Sequence, residues 1–285
     1  MDFLTLEIFR LVAERGSVTQ AARELGRAPS NVTGRIRQLE EELGAALFSR
    51  EGKKMTLTHE GRVFLSYARR LLTLETEARL AVGPAEGRDS VLRLGAMEST
   101  AASRLPPALA RFNAARPRIS VRLKMGSTLE LVDWVLAGEL DCALVARPPQ
   151  EIGGLPEADR LAGEPVFVED LLIASPPGHP PVARAEDLRA RDLAALEPGC
   201  TYRRLAEHWG RSAKLRTTEL ASYHAILARV AAGDAAGVLP RSVFEMLAWP
   251  SPPEIHSLGP VETLLIHRKD DRPPALQDLR EALLA

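Results

Sequence analysis

Ser17-Val18-Thr19-Gln20-Ala21-Ala22-Arg23-Glu24-Leu25-Gly26, followed after two residues by Pro29-Ser30-Asn31-Val32-Thr33-Gly34-Arg35-Ile36-Arg37, is the stretch that decides the fold. Ser17 and Gln20 have the spacing of a capping box, in which side chains satisfy orphan amides at a helix start. A short helix is therefore expected from Val18. It carries Ala21, Ala22 and Leu25 on a face small enough to let another helix approach, and Gly26 supplies the conformation that stops it. Pro29 fits the first turn of a second helix, where a missing N–H loses nothing. Val32, Ile36, Leu39 and Leu43 then recur every three or four residues, which predicts one buried stripe. The other face shows Ser30, Asn31, Thr33, Arg35 and Arg37.

Short hydroxyl and amide side chains near the start of such a helix can reach base edges, and arginines can reach guanine edges or phosphates. A solvated face is the ordinary reading of a polar helix surface. Here the capped helix before it and the basic segment after it favour DNA. Phe48-Ser49-Arg50, Glu51-Gly52-Lys53-Lys54 and Met55-Thr56-Leu57 read as two short strands around a glycine turn, a wing that would set Arg50, Lys53 and Lys54 against phosphates.

The whole chain restricts where positive charge can act. Its 285 residues suggest two or three domains, and Lys+Arg 37 against Asp+Glu 38 leaves a net charge of -1. Such a balance excludes a protein coated in positive charge, so any DNA contact must come from a local cluster. Met1-Asp2-Phe3-Leu4 shows neither a cationic segment nor an apolar signal core, and no stretch has the ~18 apolar residues of a membrane span; a cytoplasmic protein without membrane contact is expected. Cys142 and Cys200 have no neighbours at metal-ligand spacing, and His59, His179, His208, His224, His256 and His267 are scattered. Neither a metal nor a cofactor is expected.

Residues 2–15 read as a first helix, with Leu6, Phe9, Val12 and Ala13 facing the helix-turn-helix. After the wing, Thr58 can cap a long helix in which Val63, Tyr67, Leu71, Leu74, Ala78 and Ala81 form an apolar stripe. Gly83-Pro84 and Glu86-Gly87-Arg88-Asp89 mark a domain boundary. From Val91 onward strands alternate with helices, as in an α/β domain with a largely parallel sheet. Strands are expected at 91–96, 119–125, 140–145, 166–174, near 196, at 215–220 and at 263–267; helices follow Ser127 and Ser222, and the last runs over 276–284. Such sheets bind ligands beyond the carboxyl ends of their strands. Ser99 and Thr100 lie beyond one strand and Ser127 and Thr128 beyond the next, where hydroxyls and free amides form an anion site, so a carboxylate-bearing metabolite is the expected ligand. Thr201 would approach from the opposite subdomain. Capping alone is the bland alternative for each hydroxyl.

The run Ser17-Val18-Thr19-Gln20-Ala21-Ala22, Leu25, Val32-Thr33, Ile36, Leu39-Glu40, Leu43-Gly44, Leu47-Phe48, Arg50, Leu57-Thr58 and Gly61 resembles the amino-terminal domain of LysR-type transcriptional regulators. Gly126-Ser127-Thr128 with Leu131, Gly138, Leu140-Asp141 and Ala143 is similar to a pattern in the same family's effector domain. Residues 97–106, Gly199-Cys200-Thr201-Tyr202-Arg203 and Ser222-Tyr223-His224-Ala225-Ile226 resemble a subgroup that includes putrescine-utilisation and other nitrogen-metabolism regulators. The resemblance implies an all-α winged helix-turn-helix domain at 1–58, a dimerising linker helix and hinge at 59–88, and at 89–285 an α/β two-lobed effector domain like a type 2 periplasmic binding protein. Lobe I would comprise 89–164 and 266–285, and lobe II 165–265.

The implied partners are double-stranded promoter DNA, further copies of the chain as a dimer or tetramer, RNA polymerase, and a small effector held by Ser99, Thr100, Ser127, Thr128, Cys200, Thr201, Tyr202 and Ser222. Two other readings stand beside this one: a redox switch at Cys200, or an enzyme using the same cleft. No phosphate loop, nucleophile elbow or dinucleotide fingerprint supports catalysis.

Overall fold

A computed structural model describes residues 1–51, 54–82, 90–271, 273 and 275–285. Lys53, the side chains of Arg50, Lys54 and Ala81, and the boundary expected at 83–89 lie outside what is described. The chain forms two compact units, one of Met1–Gly87 with Ala137–Glu139, the other of Arg88–Leu136 and Leu140–Ala285.

The first unit contains α1 (Phe3–Arg15), α2 (Val18–Glu24), α3 (Pro29–Leu43), β1 (Phe48–Glu51), β2 (Lys54–Leu57) and α4 (His59–Val82). The Ser17 hydroxyl accepts from the Gln20 amide at the start of α2, and Gly26 takes φ 62 just past its end. Leu6, Phe9, Val12, Ala21, Ala22, Val32, Ile36 and Leu39 are buried together, with the Phe9 ring 5.3 Å from Phe48 and 5.1 Å from Phe64. Leu43 departs from the expected stripe: it is 42% exposed. It is the last residue of α3, and Gly44 at φ 64 turns the chain away before another element can cover it. Gly34 has open space beside it, so no close backbone approach within the chain explains a glycine there.

Two polar side chains fix the wing. One Glu40 carboxylate oxygen accepts from the amides of Leu47, at 2.8 Å, and Phe48, at 3.1 Å. The Thr58 hydroxyl donates to the Ala46 carbonyl and accepts from the Gly61 amide, capping α4. A Cβ at position 61 would run into the Leu47 carbonyl, so Gly61 is required by this close approach. On α4, Phe64, Leu65, Ala68 and Leu72 pack into the core of the unit, while Val63, Tyr67, Leu71, Leu74 and Ala78 stay exposed.

The second unit is a sheet of eight strands in the order β4-β3-β5-β10-β6-β9-β7-β8. In chain order it comprises β3 (Ser90–Ala96), α5 (Glu98–Ser103), α6 (Leu105–Ala115), β4 (Ile119–Met125), α7 (Thr128–Leu136), β5 (Cys142–Ala146), β6 (Leu161–Ser175) and β7 (Asp192–Ala195). It continues through α8 (Thr201–Trp209), β8 (Arg216–Glu219), α9 (Tyr223–Ala231), β9 (Ala236–Pro240), α10 (Arg241–Met246), β10 (Glu254–Arg268) and α11 (Leu276–Leu284). Two sets of three parallel strands, β4-β3-β5 and β9-β7-β8, are joined through the antiparallel pair β10 and β6, each 15 residues long. These two strands carry the chain between lobes. The sequence reading placed only 166–174 and 263–267 in strand, because Gly259-Pro260 breaks the pattern of β10; there the pairing shifts register between Ser257 and Gly259.

Candidate functional site

The polar face of α3 is the candidate nucleic-acid interface. Ser30, Asn31, Thr33 and Arg37 are exposed, with Ser30, Gly34 and Arg37 on the side opposite Val32, Ile36 and Leu39. The Thr33 hydroxyl donates back to the Pro29 carbonyl at 3.0 Å. Arg35 is engaged within its own chain. Its guanidinium donates to Asp2 at 2.8 Å and to the Thr5 hydroxyl at 3.2 Å, joining α3 to the start of α1. Hydrogen bonds from Thr5, then from Arg35, lower the Asp2 carboxyl to about 2.

In the second unit, strand ends converge on a cleft of about 300 Å³. The chain beyond β3 contributes Met97, Glu98 and Ser99; that at the end of β4 contributes Met125, Gly126, Ser127 and Thr128. From the other lobe come Leu196, Glu197, Cys200 and Tyr202 beyond β7, and Ala221 and Tyr223 beyond β8. All four sets follow the carboxyl end of a parallel strand, where the ends of the strands leave backbone and side chains free for a ligand.

Of the expected effector residues, Ser99, Ser127, Thr128, Cys200 and Tyr202 line the cleft, while Thr100, Thr201 and Ser222 do not. Thr201 is fully buried and donates to the Thr128 hydroxyl at 3.0 Å, with the Ala146 carbonyl at 3.3 Å, so it ties the lobes together from beneath. Ser222 caps α9 by accepting from the Ala225 amide. Ser127 also caps: the Glu130 carboxylate takes both its amide and its hydroxyl at 2.9 Å.

Two lining residues carry hydroxyls that lack a well-formed partner. Ser99 Oγ and Tyr202 Oη belong to residues only 3% and 2% exposed, and neither forms a hydrogen bond of normal geometry among the described residues. The Tyr202 and Tyr223 phenols nevertheless lie close to Ser99. Buried polar groups are almost always paired, so such orphans mark a place where a ligand or water completes the set.

Burial raises the Glu98 carboxyl, with Glu197 adding to the effect and the Tyr223 amide and His224 opposing it. Burial also pushes the Cys200 thiol up to about 11 and raises Cys142 further, so both stay protonated near neutrality. Glu98, Glu197, Met97, Met125 and Tyr223 were missed by the sequence reading. A signal for the two glutamates was present: Ala96-Met97-Glu98 and Ala195-Leu196-Glu197 repeat one pattern, a strand-ending alanine, an apolar residue and a glutamate. Among the described residues no group of His, Cys, Asp and Glu could hold a metal, and no helix is long and apolar enough to cross a membrane.

A winged helix-turn-helix and a two-lobed ligand cleft on one chain define a ligand-responsive class of DNA-binding proteins. Residues 3–62 match the bacterial regulatory helix-turn-helix protein, lysR family, and residues 85–285 match the LysR substrate binding domain. The chain belongs to the LysR family of transcriptional regulators. It is similar to the HTH-type transcriptional regulator GltR of Bacillus subtilis (strain 168), 32% identical over 277 residues that span 95% of this chain and 91% of that protein. YusT of the same organism is 34% identical over 280 residues, spanning 95% and 90%. Among solved structures, the LysR family transcriptional regulator CbnR is 26% identical with a TM-score of 0.67, covering 99% of this chain and 98% of that one. The structure of full-length CbnR complexed with its target DNA matches with a TM-score of 0.64. These matches place the chain in the family and in no finer subgroup.

Proposed function

We propose that this regulator senses a small metabolite in the cleft between its lobes, and that occupancy alters its binding to promoter DNA or its activation of transcription. The observation that carries the reading is the pair of buried, unpaired hydroxyls of Ser99 and Tyr202 in the wall of the cleft. The reading divides the chain into a DNA-reading head at 1–58, a pairing helix at 59–88 and a sensing domain at 89–285. The exposed stripe on α4 supports pairing, because a second copy would remove Val63, Tyr67, Leu71 and Leu74 from water. The structure of CbnR with its target DNA supports promoter DNA as the partner. The anionic effector expected from the sequence draws less support, since the cleft is lined by Glu98 and Glu197 and, among the described residues, by no lysine or arginine. A redox switch at Cys200 draws little: a buried thiol held at about 11 is a poor nucleophile at neutral pH.

Orphaned hydroxyls give this reading a test with two signs. Removing an unpaired buried polar group should leave the free protein as stable as before or more stable by up to ~1 kcal/mol. Removing a ligand contact should lower the gain from ligand, which is ~2.7 kcal/mol at 100 times the dissociation constant. Ser99→Ala and Tyr202→Phe should therefore melt no lower than the parent when free, yet gain less from the metabolites that stabilise the parent. Variants that melt lower when free and respond like the parent would make both hydroxyls structural and remove the cleft from the account.

A further inference from the structure

The cleft presents charge of one sign. Glu98 faces it from one lobe and Glu197 from the other; His224 acts on Glu98 from outside the lining, and no ion pair to either carboxylate forms among the described residues. No lysine, arginine or histidine among those residues lines the cleft. Two of the amides at helix starts around the cleft are already occupied: that of Ser127 donates to Glu130, and that of Tyr223 to Glu98. An incoming carboxylate would meet two like charges. Holding two carboxylates together in a partly desolvated space is costly, and a cation between them relieves that cost.

An acidic pair alone would be weak ground for a ligand. The second observation is the Ser99 hydroxyl, in a residue 3% exposed that lines the same cleft, with the Tyr202 and Tyr223 phenols beside it and no hydrogen bond of normal geometry among the described residues. Beside these polar groups stand Met97, Met125, Leu196 and the ring of Tyr202, an apolar wall for a carbon chain. The cleft volume of about 300 Å³ lies at the small end of ligand pockets, which run from roughly 300 to 1,000 Å³.

We propose that the effector of this regulator carries a primary ammonium group, held between the carboxylates of Glu98 and Glu197 with Ser99 Oγ as a third acceptor, and an attached carbon chain lying against Met97, Met125 and Tyr202. The proposal rests on the reading of the cleft as the sensing site. It makes the ligand a small aliphatic amine or diamine, bound as a cation, whose ammonium N–H groups donate to three oxygens from the two lobes. Ammonium binding would thereby draw one lobe toward the other.

Calorimetric titration of the full-length protein with four compounds of equal chain length separates the alternatives: pentylamine, pentane-1,5-diamine, pentan-1-ol and pentanoate. At millimolar concentration one or both amines should bind, the alcohol at least about tenfold more weakly, and pentanoate more weakly still, because a hydrogen bond to a charged group is worth roughly ten- to a hundredfold in affinity. Glu98→Gln keeps an acceptor for the Tyr223 amide and Glu197→Gln is partly exposed, so both should fold, which their melting curves would show; each should weaken amine binding about tenfold or more. Pentanoate binding better than the amines, or amine binding unchanged in both variants, would overturn the ammonium assignment and leave the sensing cleft standing. If none of the four binds, and Ser99→Ala and Tyr202→Phe also leave every metabolite-induced stabilisation unchanged, both the ammonium site and the sensing cleft are wrong.

Discussion

Arg35 is held by Asp2 and Thr5, so its guanidinium fastens the recognition helix to the amino-terminal helix. Arg37, two residues on and so on another side of the helix, is exposed and available to lie along DNA. Arg37→Ala should therefore either cost roughly 1 to 3 kcal/mol on the preferred site or flatten the salt dependence by about 0.9 log units, depending on whether it meets a base or a phosphate. Arg35→Ala should lower the melting temperature of the first unit and leave the salt slope as it was. Fluorescence anisotropy at several salt concentrations checks both, and an equal loss of slope in the two variants would return Arg35 to the DNA-contacting set. Asp2 adds a pH signature. Its carboxyl is lowered to about 2 in the folded protein, below the unfolded value near 3.9, so its stabilising effect is present above about pH 4 and fades as pH falls toward 2. Residue types on the polar face were legible from the sequence; which of them fold back onto their own chain was not, because Asp2 and Arg35 are distant in sequence. Glu98 and Glu197 were hidden for a related reason, since a single glutamate after a strand is ordinary and only the fold brings the two to one space.

Helix α4 shows two apolar stripes doing different work: Phe64, Ala68 and Leu72 face the core of their own unit, while Val63, Tyr67, Leu71 and Leu74 face outward. The spacing of Val63, Tyr67, Leu71 and Leu74 made the outward stripe legible from the sequence; the inward one, a single position further on, was not read, because residues one position apart belong to different faces. Leu71, at 36% exposure, can accept a charge without disturbing the core, so Leu71→Asp should keep the folded first unit and abolish pairing. Light scattering at micromolar concentration would show a monomer; an unchanged assembly would exclude this stripe from the interface. Gly61 predicts the opposite kind of failure. Gly61→Ala must displace the Leu47 carbonyl and with it the loop that Glu40 holds, costing about 1 to 3 kcal/mol by overpacking and giving loss of DNA binding together with loss of stability. Long strands were the least legible elements: the hydrophobic half of β10 stood out, and the half around Gly259-Pro260 read as a turn.

The whole molecule separates reading from sensing. Its second unit is two lobes joined by β6 and β10, so closing on a ligand requires bending at only those two strands among the described elements. That arrangement gives a ligand purchase on the shape of the domain, provided it binds the closed and open forms with different affinity. The domain plan was legible from the helix-turn-helix motif, the change of period after residue 90 and the family resemblance; the sign of charge in the cleft was not, since it depends on which side chains line the space. By linkage, if ligand alters DNA affinity then DNA must alter ligand affinity by the same factor, typically between about 5- and 150-fold. The most direct measurement is the affinity of full-length protein for the DNA upstream of its own gene, by fluorescence anisotropy, with and without the amine that stabilises it most, for the parent and for Glu197→Gln. The account predicts equal DNA affinity for the two free proteins, a shift on adding amine to the parent, and none in the variant at the same concentration. An amine response of the same size in both proteins, or none in the parent despite bound amine, would contradict it.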